Sequence, residues 1–191
     1  YKVTGVQTCA LPIFLQRSVP SLYSSLVTRP TGRAVRMAIE TQLQGAGMLS
    51  ISLIDFSEVG IIDFSCADEV VAKLLQQYLA DEARDAFFVF RGVREPHHPQ
   101  VEGVLQRQHL AAVVEVEPER FTLVGTFTDG EQRVWDRLER EGSVEADAVE
   151  RIAPEGDDAE ALESLLSRGL AFRSPQSGRV HALSRLVAHL M

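Results

Sequence analysis

The sequence has few cysteines, few cations and no long apolar run. Two cysteines, Cys9 and Cys66, stand in a chain of 191 residues, which excludes a disulfide scaffold and an all-cysteine zinc site. No apolar stretch approaches the roughly 20 residues that a helix needs to cross a bilayer. Lys and Arg number 19 against 27 Asp and Glu, giving a net charge of −8, whereas phosphate-backbone binding depends on clustered cations. These absences predict a soluble, acidic, cytoplasmic protein without a membrane role.

The first 14 residues do not look like native sequence. The chain opens at Tyr1 without an initiator Met, so we expect a fragment whose native N-terminus is missing. The octet Val6–Ile13, VQTCALPI, resembles the in-frame translation of a sequencing adapter. We therefore interpret residues 1–14 as an adapter artefact and set them aside, as is done for processing segments. The alternatives are a natural tail and a weak signal peptide, although residues 1–20 supply the basic and apolar regions of a signal peptide poorly.

Alternating helix and strand patterns predict an α/β domain over residues 15–126. Thr31 is placed to cap a first helix, and Leu49–Phe56 and Ala86–Phe90 predict strands. Continuous apolarity in the second of these strands indicates cover on both faces, as in a parallel or mixed sheet flanked by helices. The predicted helical stripes are Val35, Ile39 and Leu43; Ala67, Val70, Val71, Leu74, Leu75 and Tyr78; and Val101, Val104 and Leu105. Ala111–Val116 and Phe121–Val124 indicate either edge strands or one strand interrupted near Pro118.

Residues 127–191 predict a small second domain after a junction at Gly125–Gly130. Apolar spacings indicate three helices, the first of which ends at Gly142. Pro175 and Gly178 then separate two short strand-like pieces, which is typical of a hairpin, and a closing helix follows. Three helices, a hairpin and a last helix predict an α+β, winged-helix-like unit.

Two Asp-Phe-Ser triplets, at 55–57 and 63–65, frame an apolar turn. The segment Asp55–Val70, DFSEVGIIDFSCADEV, follows an apolar strand and precedes an amphipathic helix. In this arrangement the chain resembles a STAS domain. It is similar to the anti-sigma-factor antagonists, and more closely to a STAS-like group of unassigned function. The likeness covers the order of elements over about residues 20–126, and its specific part is the 16 residues quoted.

The resemblance implies a non-enzymatic regulatory module of bacterial signalling. Its implied partner is an anti-sigma-type kinase or a related ATPase, and it implies no cofactor, no metal and no catalytic residue. The implied partner-binding and regulatory residues are Ser57, Asp63, Phe64, Ser65, Asp68 and Glu69.

The family's switch is a phosphorylated Ser or Thr directly after the second Asp. Phe64 occupies that position here, and Ser65 is the nearest hydroxyl, so Ser65 becomes the candidate phosphoacceptor. A helix N-terminus stabilises an anion, and a phosphate adds about −1.5 to −2 charges. Ser65 followed by Asp68 also fits a helix-capping pattern, and a partner contact without phosphorylation is the third interpretation. Cys66 is expected to be a quiet buried thiol, because neighbouring carboxylates oppose a lowered pKa.

Other polar groups favour structural roles. His97 and His98 lie in a polar loop before a helix and lack a completing ligand set. Asp55 and Asp63 could be proposed as an acid–base pair, but no nucleophile accompanies them, so we expect them to cap the turn and the helix.

The acidic tail favours protein contacts over DNA. Residues 127–191 carry 8 Arg and 13 Asp plus Glu, a net charge of −5. The predicted third helix is acidic, and Arg173 and Arg179 of the hairpin offer little compensation for binding phosphates. We interpret the tail as an interaction module that forms a homodimer or contacts another protein. A DNA-binding transcription regulator is the alternative function.

Overall fold

The computed structural model describes residues 9–14, 25–44, 49–79, 85–93 and 95–188. Over these ranges the chain is a mixed α/β protein, as predicted. Residues 1–8 of the segment interpreted as adapter-derived lie outside the described residues, whereas Cys9–Phe14 forms strand β1. None of the helices in the described ranges combines the length and apolarity that crossing a membrane requires.

A five-stranded sheet lies at the centre of the molecule. In spatial order its strands are β1, β3 (Leu49–Asp55), β5 (Asp85–Arg91), β6 (Ala111–Glu117) and β7 (Arg120–Gly125). The first four run parallel, and β7 returns antiparallel to β6. Pro118 lies in the turn between β6 and β7, so the two apolar segments predicted there are separate strands.

Helices cover one face of this sheet. They are α1 (Arg29–Gln44), α4 (His98–Arg107) and a continuous helical segment, residues 64–79. This helical segment consists of α2 (Phe64–Ala67), a π-helical stretch (Asp68–Ala72) and α3 (Lys73–Leu79). A short parallel ladder of β2 (Ser25–Leu26) and β4 (Ile61–Ile62) flanks them. Every residue of the three predicted helical stripes is buried, which confirms the spacing argument.

The C-terminal residues cover the opposite face. Their elements are α5 (Asp129–Glu141), β8 (Ser143–Val144), a 3-10 helix (Ala146–Arg151), α6 (Asp157–Ser167), β9 (Ala171–Arg173), β10 (Val180–Ala182) and α7 (Leu183–Val187). Strands β8, β10 and β9 form a small antiparallel sheet in that order, so the predicted hairpin is present. The second predicted helix of this region is the 3-10 helix instead of an α-helix.

Strand β5 contributes to two cores because its side chains alternate between the faces. Phe88 and Phe90 pack beneath the helices of the first face. Val89 lies in the second core with Trp135 and Leu138 of α5. A strand buried on both faces needs apolar residues at successive positions, which is why its sequence does not alternate. The predicted two-sided cover of β5 is therefore confirmed.

Helix α1 begins earlier than predicted. The Thr28 hydroxyl accepts a hydrogen bond from the Thr31 amide at 3.3 Å, and the Thr28 carbonyl accepts one from the Gly32 amide at 3.0 Å. The assignment of Thr31 as the cap was therefore wrong. Pro30 lies within the first turn, where the amide that proline lacks has no partner within the helix.

Helix α1 passes very close to the helical segment 64–79 at Gly32. A Cβ at position 32 would lie 2.8 Å from the Cα of Cys66 and 3.1 Å from the Cβ of Glu69. Overpacking of this kind costs about 1–3 kcal/mol. We expect Gly32→Ala to lower the free energy of unfolding by about that amount, measured by urea denaturation.

Gly130→Ala is the matched control for Gly32→Ala. Gly130 is also a helical glycine, and a Cβ there would meet nothing closer than 3.5 Å. Alanine is the better helix former, so this variant should be equal to or up to about 1 kcal/mol more stable than the parent. A Gly32→Ala protein as stable as Gly130→Ala would contradict the packing described here.

Candidate functional site

The link between β3 and α2 carries the two Asp-Phe-Ser triplets. Asp55 ends β3, and the Phe56 side chain is fully buried behind it. The chain then turns outward, pairs briefly with β2 through β4, and enters α2. We call the surface formed by residues 57–61, residues 63–65 and Val27 the β4 edge.

Asp63 caps helix α2. Its backbone is extended, and its Oδ1 accepts a hydrogen bond from the Cys66 amide at 2.7 Å. The Ser65 hydroxyl donates to Oδ1 and Oδ2 of the same carboxylate at 2.9 and 3.1 Å. The capping role predicted for Ser65 therefore belongs to Asp63, and Ser65 supports it. Burial opposes ionisation of Asp63, but the bonds from Cys66 and Ser65 outweigh it and lower the pKa of the carboxyl.

Cys66 is a buried thiol, as predicted. The side chain is fully buried, and its Sγ donates to the Thr28 carbonyl at 2.8 Å. Burial, and then the negative charge of Asp63, raise the pKa of the thiol to about 11. Since the thiolate is the nucleophile, a thiol with this pKa is almost entirely unreactive at neutral pH.

Phe64 anchors the start of α2 on α4. Its ring packs so close to Gly103 that a Cβ there would lie 3.3 Å from the ring. The guanidinium of Arg107 stands 5.8 Å from the ring centroid, in a cation–π contact. Phe64 is thus half-buried, and its ring lies against Gly103 and Arg107 of α4.

Asp68 and Glu69 lie beneath the surface, contrary to the expectation that they contact a partner. They are 7 % and 2 % exposed, respectively, and stand on the π-helical stretch that packs against α1. Arg29 binds Asp68 at 2.7 Å and Glu69 at 3.0 Å; Arg36 contacts Glu69 at 3.4 Å, and Lys73 also binds Glu69. Their carboxylates are therefore occupied in joining α1 to the helical segment.

The exposed part of the β4 edge is more apolar than the sequence indicated. Ile61 is 49 % exposed and Val27 is 48 % exposed, whereas Ile62 beside them is buried. Because Ser25 pairs with Ile61 and Leu26 with Ile62, Val27 continues the exposed side of the ladder. The exposure of Ile61 and Val27 could not be predicted from the sequence, because nothing local distinguishes Ile61 from Ile62. Ser57 and Glu58 are exposed beside it.

A row of charged residues crosses the carboxyl ends of the parallel strands. Asp55, Arg91 and Glu115 are register partners on β3, β5 and β6. Arg91 binds Asp55 at 2.9 Å and approaches Glu115 at 3.7 Å, while the other oxygen of Asp55 accepts from the Ser57 amide at 2.8 Å. The expectation that Asp55 caps the turn is confirmed. These three residues were not predicted from the sequence to lie side by side. The feature that could have indicated it is the charged residue that ends or interrupts each of the three apolar strands.

The two neighbouring histidines do not share a site. His97 lies in the turn directly before α4, as predicted, but it is buried at 4 % exposure, which a polar loop did not lead us to expect. His98 lies on the helix with its Nδ1 3.7 Å from Glu102. Across the ranges that the structure describes, no three His, Cys, Asp or Glu side chains are grouped in a way that could hold a metal ion.

The arginines of the C-terminal hairpin are already paired with acids. Arg173 binds Glu163 at 2.7 Å, and Arg179 binds Glu145. Arg137 binds Asp158 of α6 at 2.5 Å. These three arginines thus serve contacts within the chain.

We compared the chain with protein families, curated proteins and solved structures. No family model matches it, no curated protein matches it, and no solved structure matches it. The functional interpretation therefore depends on the residues and their geometry.

The lowered pKa of Asp63 makes its cap sensitive to acid. A carboxyl group whose pKa is lower in the folded than in the unfolded state adds to the free energy of unfolding at pH values above its unfolded pKa, here near 3.8. This added stability is lost as the pH falls through the pKa of the folded state. We expect Asp63→Ala to cost about 1 kcal/mol at pH 7 and less below pH 3, measured by urea denaturation at both pH values.

Asp63→Asn is the control for the cap. Asn accepts the same amide hydrogen bond but does not ionise, so this variant should stay within about 0.5 kcal/mol of the parent at pH 7. A cost of Asp63→Ala that is the same at both pH values would show that the carboxylate charge is not part of the cap.

Proposed function

We propose that this protein is a non-enzymatic regulatory module whose β4 edge binds a protein partner. The observation that carries the proposal is the pair of half-exposed apolar side chains, Ile61 and Val27, next to a polar helix start. Protein interfaces commonly have an apolar centre inside a polar rim. The β4 edge offers both within one continuous stretch of chain.

Ile61 and Val27 form the apolar centre. Within the described ranges, four large apolar side chains are more than a third exposed, namely Val27, Met37, Ile61 and Leu79. Two of these four belong to the β4 edge: Ile61 pairs with Ser25 in the ladder, and Val27 lies two residues after Ser25, just beyond the end of β2. Two exposed apolar side chains next to one short ladder support a recognition role more strongly than isolated exposure does, because single exposed apolar residues are ordinary on a protein surface.

The polar rim is held rigidly before any partner arrives. Asp63 is fixed by two donors, and Phe64 is fixed by α4 and Arg107. Binding costs less conformational entropy when the contacting groups are ordered in advance. The side chains at the helix start therefore suit recognition of one partner geometry. Their hydrogen bonds also support a binding role over a catalytic one, because Asp63 and Ser65 are committed to each other.

The resemblance to STAS domains supports an ATPase of the anti-sigma-kinase type as the partner. The segment of resemblance is the same stretch that forms the β4 edge, and the helical segment, residues 64–79, follows it directly. We propose cytoplasmic bacterial signalling as the setting.

We propose that residues 127–191 form a winged-helix-like unit used in protein contacts, either with a partner or in a homodimer. The order of α5, β8, two further helices and the β9–β10 hairpin supports this likeness. The ion pairs of Arg173 and Arg179 with glutamates argue against the alternative of a DNA-binding regulator.

The proposal predicts that charge at the centre of the β4 edge abolishes binding. We expect Ile61→Asp to weaken the complex with a purified ATPase of the anti-sigma-kinase type by roughly thirtyfold or more, since buried interface anchors are worth about 2 kcal/mol or more. Titration calorimetry with and without ATP measures the effect.

Leu79→Asp is the matched control for Ile61→Asp. Leu79 is 40 % exposed and lies at the far end of the helical segment, about 20 Å from Ser65 along the axis. It should leave binding unchanged. Equal loss in the two variants, or no binding of the ATPase by the parent chain, would refute the proposal. DNA retardation that weakens steeply with salt would favour the transcription regulator.

Phosphorylation of Ser65 is expected to prevent the β4 edge from binding its partner. Phosphorylation removes the hydroxyl proton that Ser65 shares between the two oxygens of Asp63, and it places like charge beside that carboxylate. We expect Ser65→Asp to lose binding and about 1 kcal/mol of stability, whereas Ser65→Ala should retain binding. Binding by Ser65→Asp equal to that of Ser65→Ala would exclude a switch at this residue. Mass spectrometry of the protein from cells should find phosphate on Ser65 and not on Ser57.

A further inference from the structure

The outer side of β2 is an unpaired strand edge. In a parallel ladder, the N–H and C=O groups of one residue bond to the neighbouring strand, and those of the next residue point the other way. Leu26 is the residue of β2 that bonds to β4, because its carbonyl accepts from the Asp63 amide at 2.8 Å. The main-chain groups of Ser25 and Val27 therefore belong to the outer side.

Peptide geometry fixes the direction of two of these groups. The C=O and N–H of a trans peptide point in opposite directions. Since the Leu26 carbonyl points towards β4, the Val27 amide in the same peptide points away from it. Likewise, the Leu26 amide points towards β4, so the Ser25 carbonyl points away. One acceptor and one donor thus lie next to each other on the outer side of β2, in the arrangement that a further strand binds.

The outer side of β2 is free of contacts from the described part of the chain. The small sheet that contains β2 has two strands, β2 and β4. Ser25 is exposed, and Val27 is 48 % exposed. Neither the Ser25 carbonyl nor the Val27 amide bonds to another described residue. The edge therefore offers two unpaired main-chain groups beside the apolar pair of the β4 edge.

The β4 edge itself carries only negative charge. Its two charged side chains are those of Glu58 and Asp63, and both are carboxylates. Arg29 follows β2 at the start of α1, but Asp68 binds its guanidinium at 2.7 Å and Glu69 at 3.0 Å, so its charge is offset. Basic residues in a partner segment would therefore complement this surface.

We infer that an extended segment of the protein partner adds to β2 as a third strand. Its main chain bonds to the Ser25 carbonyl and the Val27 amide, an apolar side chain packs on Val27, and Lys or Arg flanks that side chain. Main-chain bonds provide affinity in this mode of recognition, and alternate side chains provide specificity. The inference rests on the function proposed for the β4 edge and adds the form of the partner segment that the edge recognises.

Amide hydrogen exchange of the full chain, with and without a purified ATPase of the anti-sigma-kinase type, tests this inference. The Val27 amide should exchange rapidly in the free chain and at least roughly tenfold more slowly in the complex, because it gains a hydrogen bond there. The Leu26 amide, which faces β4, should already exchange more slowly than that of Val27 in the free chain.

Val27→Pro removes the outward amide without removing a hydrogen bond to another described residue. We expect it to weaken the complex roughly tenfold in titration calorimetry. Val27→Ile is the matched control: it keeps the amide and the apolar side chain and should bind as the parent does. If Val27→Pro folds poorly, the exchange of the Val27 amide in the parent chain still decides the question.

Charge reversal tests the basic character of the segment. Glu58→Lys should weaken the complex several fold at low salt and lessen its salt dependence. Glu150→Lys reverses an exposed charge outside the β4 edge and should change neither. Equal binding by the two variants would exclude a basic segment.

Other results would overturn the added strand. A Val27 amide that exchanges as fast in the complex as in the free chain, in a complex that Ile61→Asp abolishes, would leave the proposed function standing without it. Binding by Val27→Pro equal to that of Val27→Ile would exclude the main-chain bond. Exchange at Val27 that slows as the chain alone is concentrated would assign the edge to a second copy instead. No binding of the ATPase by the parent chain would refute the inference together with the proposed function.

Discussion

The parallel sheet must be covered on both faces, and the rest of the structure depends on this requirement. Strand β5 is apolar at successive positions, so either face left open would expose phenylalanine or valine to water, at roughly 25 cal/mol for each Å² of apolar surface. Helices α1 to α4 cover one face. The C-terminal elements cover the other, where Trp135 and Leu138 share a core with Ile51 and Val89. The tail therefore contributes to the same hydrophobic packing as the sheet.

Once both faces are covered, the carboxyl ends of the strands and the separate β2–β4 ladder remain for recognition. The β4 edge and a cavity at the carboxyl ends of the strands lie on either side of Ser57, which belongs to the first and lines the second. Asp55 connects them, because one of its oxygens holds the Ser57 amide and the other holds Arg91. Gly92 allows this close approach: its φ is +71°, and a Cβ there would lie 2.4 Å from the Ser57 nitrogen. The β4 edge and the cavity thus share one rigid turn.

The acidic residues of the helical segment serve two different purposes. Asp63 remains near the surface, where it caps α2 and presents a charge. Asp68 and Glu69 stand on the π-helical stretch, which packs against α1 and places them among Arg29, Arg36 and Lys73. Breaking a buried ion pair leaves an uncompensated charge, so these two carboxylates contribute to the join between the helices instead of to a binding surface.

Local pattern was enough to identify the longer elements, but it did not indicate the strands β1, β2, β4 and β8 or the π-helical stretch. Helical stripes, the apolar strand β5, the hairpin and the capping role of Asp63 follow from spacing and side-chain chemistry within a few residues, and the structure agrees with them. The sequence alone also located the turn between the Asp-Phe-Ser triplets. It did not separate Glu69 from Glu58, or Ile61 from Ile62, since each pair has the same chemistry.

Tertiary structure decided which of these residues are exposed and which charges meet. Asp55, Arg91 and Glu115 are far apart along the chain and become neighbours only through strand register. Burial and ion pairing are likewise properties of packing between distant segments, whereas periodicity and capping act within one turn of helix or one strand. The sequence by itself therefore determined the longer elements and their apolar sides, whereas the β4 edge and the cavity arose only when distant segments of the chain packed together.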